Sequence, residues 1–169
     1  FGIAKRARVI YYNPDLISET EAKELNYEDL SDPRYAKSLV IRSSGNTYNK
    51  SLVASLIENI GLSKTSIWAK GIVQNMAREP KGNDRAQIIA VAAGKAKLAV
   101  ANSYYIALML SGKKGKEQKL AAEKVKLIFP NQNNRGTHMN ISGGGVTKFA
   151  PNKENAIKFL EFLITKEAQ

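Results

Sequence analysis

Three tyrosines are the residues of this sequence whose types and positions could support metal chemistry. Tyr48 follows the short apolar run Leu39–Arg42, and Tyr104 with Tyr105 follows a second run, Leu98–Asn102. Each run is typical of a buried strand, so each tyrosine falls in the first turn of the helix that comes next. The phenolate oxygen is a hard donor and pairs well with a hard cation such as Fe(III). The three side chains are therefore candidate ligands for ferric iron.

Packing offers a second interpretation of the same tyrosines. Tyr48 lies four residues before Leu52, at the edge of an apolar helical stripe, where an aromatic side chain usually joins the core. Tyr104 and Tyr105 are consecutive, so they cannot both face one packing partner, although both can reach a site at the end of a helix. On spacing alone, packing is the stronger interpretation and metal binding stays open.

The elements that would position these tyrosines alternate between strand and helix patterns. Strands are predicted at Ala7–Tyr12, Leu39–Arg42, Leu98–Asn102, Val125–Phe129 and Thr137–Ser142. Helices are predicted from a cap at Asn46 or Thr47 to Gly61, over Ser63–Met76, Asp84–Ala93, Tyr104–Leu110 and Lys116–Lys124, and after Asn152. Pro14–Lys37 is polar and irregular, and Tyr104–Leu110 is apolar all round, which predicts a buried helix. The alternation predicts an α/β domain with a mixed, mostly parallel sheet flanked by helices, whose ligand site lies at the carboxyl ends of the strands.

The sequence contains few residues of the kinds that catalysis needs. It has no cysteine and a single histidine, His138. Disulfides, thiolate metal sites and a cysteine nucleophile are therefore excluded, and a serine–histidine–aspartate site would have to use His138. No nucleophile, base and orienting carboxylate are brought together by any motif, so we predict a binding protein and not an enzyme.

The charge balance favours anionic ligands. The chain carries 26 basic and 15 acidic residues, a formal charge of +11, which attracts nucleic acid, phosphate and anionic metal chelates alike. A nucleic-acid-binding domain would need basic residues clustered on one face with aromatic residues stacked between them, and here the lysines are dispersed. Nucleic-acid binding is therefore the weaker alternative to iron binding. The stronger alternative is a solute-binding lobe for another anion or for an iron chelate.

Several motifs together resemble one known family. They are Lys5–Asn13, Tyr27–Pro33, Ile41–Glu58, Gly82–Gly94, Val100–Tyr105, Ile128–Ser142 and Ala150–Gln169. In this order they are similar to the periplasmic ferric-iron-binding proteins of bacterial ABC importers, the tyrosine-rich, transferrin-like solute-binding proteins. The most specific features are the paired tyrosines after Val-Ala-Asn-Ser and the third tyrosine in Ser-Ser-Gly-Asn-Thr-Tyr-Asn.

This resemblance implies a fold and a function. It implies that Tyr48, Tyr104 and Tyr105 bind Fe(III) in a periplasmic-binding-protein-like (type II) fold of two lobes that close about a hinge. Residues 1–13 would be a hinge-crossing strand and residues 14–136 a second lobe that carries the ligands. Residues 137–169 would be a return hinge strand and a terminal helix of the first lobe, whose N-terminal remainder lies outside this sequence. The implied protein is a periplasmic monomer, peripheral to the membrane, that binds no nucleic acid and whose partners are an ABC permease and its ATPase.

The resemblance also assigns residues around the metal. Arg8 matches an arginine that lies just behind the ligands in some members, with a surface arginine as the alternative. Asn102, Asn83 and Asn46 lie near positions that, in members using a synergistic anion such as carbonate, phosphate or citrate, help to hold that anion, and Asn102 is the candidate for this role here. For Asn46 and Asn83, helix capping is the better interpretation. His138 is interpreted as a strand histidine hydrogen-bonded near the hinge, and not as a ligand.

Two departures from the family pattern affect these expectations. Lys37-Ser38 stands where the family usually has a glycine turn, which puts the shape of that turn in question. Met109 stands near a position where some members carry an arginine, so the charge balance at the iron site would differ here.

Overall fold

A long first strand organises the sheet of this α/β protein. The computed structural model describes all of residues 1–169. The strands are β1 (Gly2–Tyr12), β2 (Leu39–Val40), β3 (Leu98–Asn102), β4 (Lys126–Ile128) and β5 (Met139–Gly143). Their order is β2-β3-β1-β4, and β5 also pairs with β1. The second half of β1 pairs with β3 and β4, and its first half pairs with β5.

The strand directions confirm a mixed sheet and correct one expectation. Only β2 and β3 pair in parallel, whereas β1 runs antiparallel to β3, β4 and β5. The prediction of a mostly parallel sheet is therefore wrong at the level of strand pairs. The prediction fails because β1 lies between β3 and β4 and runs antiparallel to both. Helical crossovers relate β2, β3 and β4, and the sequence pattern detects those crossovers but not the direction of the central strand.

The helices lie close to their predicted positions. They are α1 (Glu19–Lys23), α2 (Thr47–Ile60), α3 (Leu62–Asn75), α4 (Asp84–Ala92), α5 (Tyr104–Leu110), α6 (Lys116–Glu123) and α7 (Lys153–Leu163). The predicted irregular segment Pro14–Lys37 also contains α1 and two short 3₁₀ helices, Glu28–Ser31 and Pro33–Tyr35. These elements are too short to show an apolar repeat. None of the helices is both long and apolar enough to cross a membrane.

The core forms two clusters, one on each face of the sheet. Alternate residues of β1 point to opposite faces, so Ile10 and Tyr12 join one cluster and Val9 and Tyr11 join the other. The first cluster also contains Trp68 and other side chains of α2 and α3, and the second contains side chains of α4, α5 and α6. Both faces of the central strands are thus covered, which fixes the ends of β2 and β3 rigidly in place.

The helix α5 is less buried than its sequence predicts. Met109 is its one fully buried residue, and Tyr104 and Leu110 are exposed. The prediction of a buried helix is therefore wrong, because α5 lies at the end of the sheet, where α4 and α6 are its main helical neighbours. Apolar side chains of its first turn are left accessible at the carboxyl end of β3.

The turn before β2 contains a lysine in a backbone conformation that favours glycine. Lys37 has φ 53°, in the left-handed region, at the position where the resembling family usually has a glycine turn. The turn therefore keeps the left-handed conformation that a glycine would allow, although Lys37 brings a Cβ atom into it.

Candidate metal centre

Tyr48 is positioned by the cap of α2. The side chain of Asn46 accepts a hydrogen bond from the backbone N–H of Tyr48 at 3.1 Å, which confirms that Asn46 is an N-cap. This bond fixes the first helical turn just beyond the end of β2. The ring of Tyr48 is half-buried, so its phenol remains partly accessible at the carboxyl end of the sheet.

Tyr104 and Tyr105 reach the same edge of the sheet from β3. They open α5 directly after Asn102 and Ser103, and their ring centroids lie 4.1 Å apart with an interplanar angle of 30°. Tyr104 is 39% exposed and Tyr105 is half-buried. The consecutive tyrosines therefore lie side by side, and do not point to opposite sides of the helix.

The structure brings all three phenols together. Burial raises the pKa of Tyr104, and hydrogen bonding and charge from Tyr105 and from Tyr48 raise it further. Geometry supports this grouping, because the guanidinium carbon of Arg8 lies 6.0 Å from the ring centroid of Tyr48 and its Nη1 donates to Asn102, two residues before Tyr104. Three hard oxygen donors are thus grouped beyond the ends of β2 and β3. Because the phenol of Tyr104 holds its proton firmly, a cation bound there has to displace that proton.

Arg8 lies directly behind these tyrosines and is fully buried. It faces Asn102 across the β1–β3 pair. Its Nη1 donates to Asp84 Oδ2 at 2.7 Å and to Asn102 Oδ1 at 3.2 Å, and its Nη2 donates to Asn49 Oδ1 at 2.6 Å. Its guanidinium carbon lies 6.0 Å from the centroid of the Tyr48 ring. The alternative of a surface arginine is wrong.

The charge of Arg8 is maintained by its partner. Desolvation lowers the pKa of Arg8, and the charge and hydrogen bond of Asp84 oppose that effect. Asp84 is itself fully buried, and its second oxygen lies 3.5 Å from Nη1 of Arg42. A cation is therefore held permanently beside the candidate site.

Sequence reasoning missed Asp84 and Asn49 as residues of the site. The sequence pattern marks Asp84 only as the start of a helix and Asn49 only as part of a motif. The signal was Arg8 itself, because a charged residue within an apolar strand requires a buried counter-charge and hydrogen-bond acceptors. An aspartate at the start of an apolar helix is a natural candidate for that partner.

Asn102 is buried with one donor unused. Arg8 donates to its Oδ1, and this fixes the orientation of the amide. Its Nδ2 and the Nε of Arg8 are both buried and have no hydrogen-bond partner within the protein. Both atoms are donors, and buried donors normally have an acceptor such as a water molecule or an oxyanion. Asn83, in contrast, caps α4 by accepting from the N–H of Ala86 at 3.2 Å.

His138 connects the irregular segment before β5 to the helix that carries Tyr48. Its Nε2 lies 2.9 Å from Oγ of Ser51, and its backbone carbonyl accepts from the N–H of Arg8 at 3.0 Å. Burial and the charge of Arg8 lower the pKa of His138, so the neutral ring is favoured. The hydrogen bonding predicted for His138 is confirmed, but the residue lies just before β5 and not within a strand. Groups of three or more His, Cys, Asp or Glu side chains that could hold a metal ion are absent from the chain.

Comparison with known proteins supplies the family. The sequence matches the bacterial extracellular solute-binding proteins over residues 2–169. The chain belongs to this family. The family is one of solute-binding proteins and not of enzymes, and its relatives place the fold among the type II periplasmic-binding-protein-like structures.

Relatives of this solute-binding protein are named for iron. It is 52% identical to iron uptake protein A1 of Synechocystis sp., over 100% of this chain and 46% of the relative. It superposes with a TM-score of 0.93 and 56% identity on the Trichodesmium protein IdiA (FutA), solved in complex with iron and citrate, over 99% of this chain and 52% of that one. The ferric binding protein of Campylobacter jejuni gives a TM-score of 0.90 and 43% identity, over 99% and 52%. The chain thus spans about half the length of these relatives.

Proposed function

We propose that this protein binds ferric iron through the phenolates of Tyr48, Tyr104 and Tyr105 and delivers it to an ABC permease driven by its ATPase. The observation that carries the proposal is the grouping of three phenols beyond the ends of β2 and β3. Relatives named for iron uptake and ferric iron binding support the choice of cargo.

The surrounding residues suit a bound Fe(III) ion. Each phenolate contributes a hard oxygen and a negative charge. The buried guanidinium of Arg8, 6.0 Å from the ring centroid of Tyr48, balances part of that charge. In this role iron exchanges its ligands but is not chemically converted, so the protein acts as a carrier.

A synergistic anion completes this proposal. The unpaired donors Asn102 Nδ2 and Arg8 Nε suit an oxygen acceptor, so carbonate, phosphate or citrate is the anion that we propose. The Trichodesmium relative solved with both iron and citrate supports this chemistry.

An iron chelate is the second candidate ligand. The same relative contains iron together with citrate, so an iron–citrate complex, and not the bare ion, can be the cargo. Measuring the citrate content of the loaded protein separates the two. One citrate for each iron in every buffer favours the chelate, and iron binding with carbonate alone favours the ion.

We further propose that the chain divides at a hinge of a periplasmic monomer. Residues 1–13 would cross the hinge, residues 14–136 would form the tyrosine-bearing lobe, and residues 137–169 would return to the first lobe. The pairing of β1 supports this division, because the strand pairs with β5 as far as Ala7 and with β3 from Arg8 onward.

The test is an optical titration with Fe(III) citrate, following the visible tyrosinate-to-iron charge-transfer band. A saturable band is expected in the wild-type protein. It should be lost in a variant with Tyr48→Phe, Tyr104→Phe and Tyr105→Phe. A wild-type protein without the band, or a triple variant that keeps it, would contradict the proposal.

A further inference from the structure

Asp84 connects the two segments that carry the tyrosines, although it contributes no ligand itself. We propose that it is a positioning residue that sets the separation between Tyr48 and the Tyr104–Tyr105 pair. This inference rests on the proposed iron-binding function. Two sets of contacts made by its carboxylate support this role.

The first set reaches the end of β3. Asp84 Oδ2 accepts the backbone N–H of Asn102 at 2.9 Å, two residues before Tyr104. Asp84 is also the first residue of α4, and this helix packs against β3 and α5. Asp84 therefore fixes the backbone position of Asn102, the last residue of β3, where the chain turns into α5. The position of the paired phenols depends on that exit.

The second set reaches the loop before Tyr48. Asp84 binds Nη1 of Arg8, and Nη2 of Arg8 binds Oδ1 of Asn49, the residue next to Tyr48. The side chain of Asn49 in turn donates to the carbonyl oxygens of Arg42 and Ser43, at 2.7 and 3.2 Å. This chain of contacts ties the first turn of α2 back to the end of β2.

Arg42, which lies just after β2, also contacts Asp84 directly. Its Nη1 lies 3.5 Å from Asp84 Oδ1, so one carboxylate pairs with two guanidinium groups. Both Asp84 and Arg8 are fully buried, and water cannot screen their charges. Without the negative charge, the two arginines would repel each other and the segments that they hold would separate. The geometry of the phenols, and not only the stability of the fold, would then change.

The test compares Asp84→Asn with the wild type in the full-length natural protein. The substitution keeps the shape of the side chain and one acceptor oxygen but removes the charge. We expect the affinity for Fe(III), measured by competition with citrate, to fall about 10- to 100-fold, as is typical when a group behind a metal ligand is lost. We also expect the maximum of the charge-transfer band to shift, because the phenolates approach the metal differently.

Asn75→Ala is the matched control for stability alone. Asn75 is buried on α3 and donates to the carbonyl oxygens of Leu30 and Asp32, which belong to neither of the segments that carry the tyrosines. It should lower the melting temperature while leaving the affinity and the band unchanged. A purely structural role for Asp84 would give the same result as this control.

A second variant covers the case in which Asp84→Asn does not fold. The side chain of Arg42 is 22% exposed, so Arg42→Gln is expected to fold while cutting the direct contact with Asp84. It should weaken iron binding and shift the band, whereas Arg42→Lys, which keeps the charge, should restore both in part.

The outcomes separate this inference from the proposed function. A wild-type protein without a charge-transfer band overturns both. A wild-type band that persists with the same affinity and position in folded Asp84→Asn overturns the role of Asp84 alone. If Asp84→Asn fails to fold, an unchanged affinity and band in Arg42→Gln overturns that role instead.

Discussion

At the scale of single residues, the site combines a donor that resists deprotonation, Tyr104, with a buried cation that favours it. Burial and two neighbouring phenols raise the pKa of Tyr104, while Arg8 is held buried and charged by Asp84. These opposing effects suit a reversible carrier, because a neutral Tyr104 does not repel its neighbours before the metal arrives. The metal then supplies the free energy that removes the proton of Tyr104.

Tyr104→Phe tests the donor oxygen by itself. The ring is retained and Tyr104 is 39% exposed, so the fold should be preserved. We expect the affinity for Fe(III) to fall by at least about 100-fold, since losing even a group behind a ligand typically costs 10- to 100-fold. Competition titration with citrate measures this change.

Tyr12→Phe provides the matched control for that substitution. Tyr12 is a buried tyrosine on β1, in register with Leu98 and Lys126 at the opposite end of the strand from the site. Loss of the Tyr12 hydroxyl should leave iron binding unchanged. Equal affinities for Tyr104→Phe and wild type would remove Tyr104 from the ligand set.

The dependence of iron binding on pH follows from the raised pKa of Tyr104. With its raised pKa, Tyr104 is protonated throughout the neutral range, so this phenol must release a proton when it binds iron. The affinity should therefore rise with pH and fall in acid, by up to about tenfold per pH unit for each proton released. Competition titrations from neutral to acid pH, corrected for the protonation of citrate, measure the slope. A slope of zero would be incompatible with phenolate ligands.

At the scale of elements, the helix starts determine where the donors stand. Asn46 caps α2 through the N–H of Tyr48, so the cap and the donor share one turn. Asn46→Ala should cost about 1 kcal/mol of stability, which is typical of a lost N-cap, and should also weaken iron binding because the turn loosens. Chemical denaturation and iron titration measure the two effects.

Ser18→Ala is the control for the cap. Ser18 caps α1 by accepting from the N–H of Glu21 at 3.1 Å, in a part of the chain that carries no candidate ligand. The Ser18→Ala variant should lose about as much stability as Asn46→Ala but should bind iron with unchanged affinity. If both variants bind iron as the wild type does, the cap of α2 has no influence on the site.

The elements also show what sequence patterns can and cannot reveal. The apolar runs at β2 and β3 and the tyrosines after them are local features, so the placement of the candidate tyrosines at these strand ends was predictable. The antiparallel direction of β1 depends on pairing between residues about ninety positions apart, and no local pattern records it. The partnership of Arg8 with Asp84 is equally non-local, which is why the sequence alone leaves a surface arginine open as an alternative.

At the scale of the whole molecule, the net charge suits the proposed carrier. The chain has 26 basic and 15 acidic residues, and this excess of positive charge favours anionic cargo such as iron chelates. The helix α7, however, contains no buried residue, and Phe159 and Phe162 are 59% and 45% exposed. A helix with such an apolar face ordinarily packs against another surface. The proposed first lobe, to which residues 137–169 would belong, is the partner that we expect.

Hydrogen exchange tests that assignment. Every residue of β3 is buried, whereas α7 is open to solvent, so in a protein of residues 1–169 the amides of α7 should exchange much faster than those of β3. In the full-length natural protein, the amides of α7 should be protected, because its apolar face would then be covered, and β3 serves as the internal control in both proteins. If α7 exchanges equally fast in the two proteins, its face is not covered by the first lobe and the proposed boundary at residue 137 is wrong.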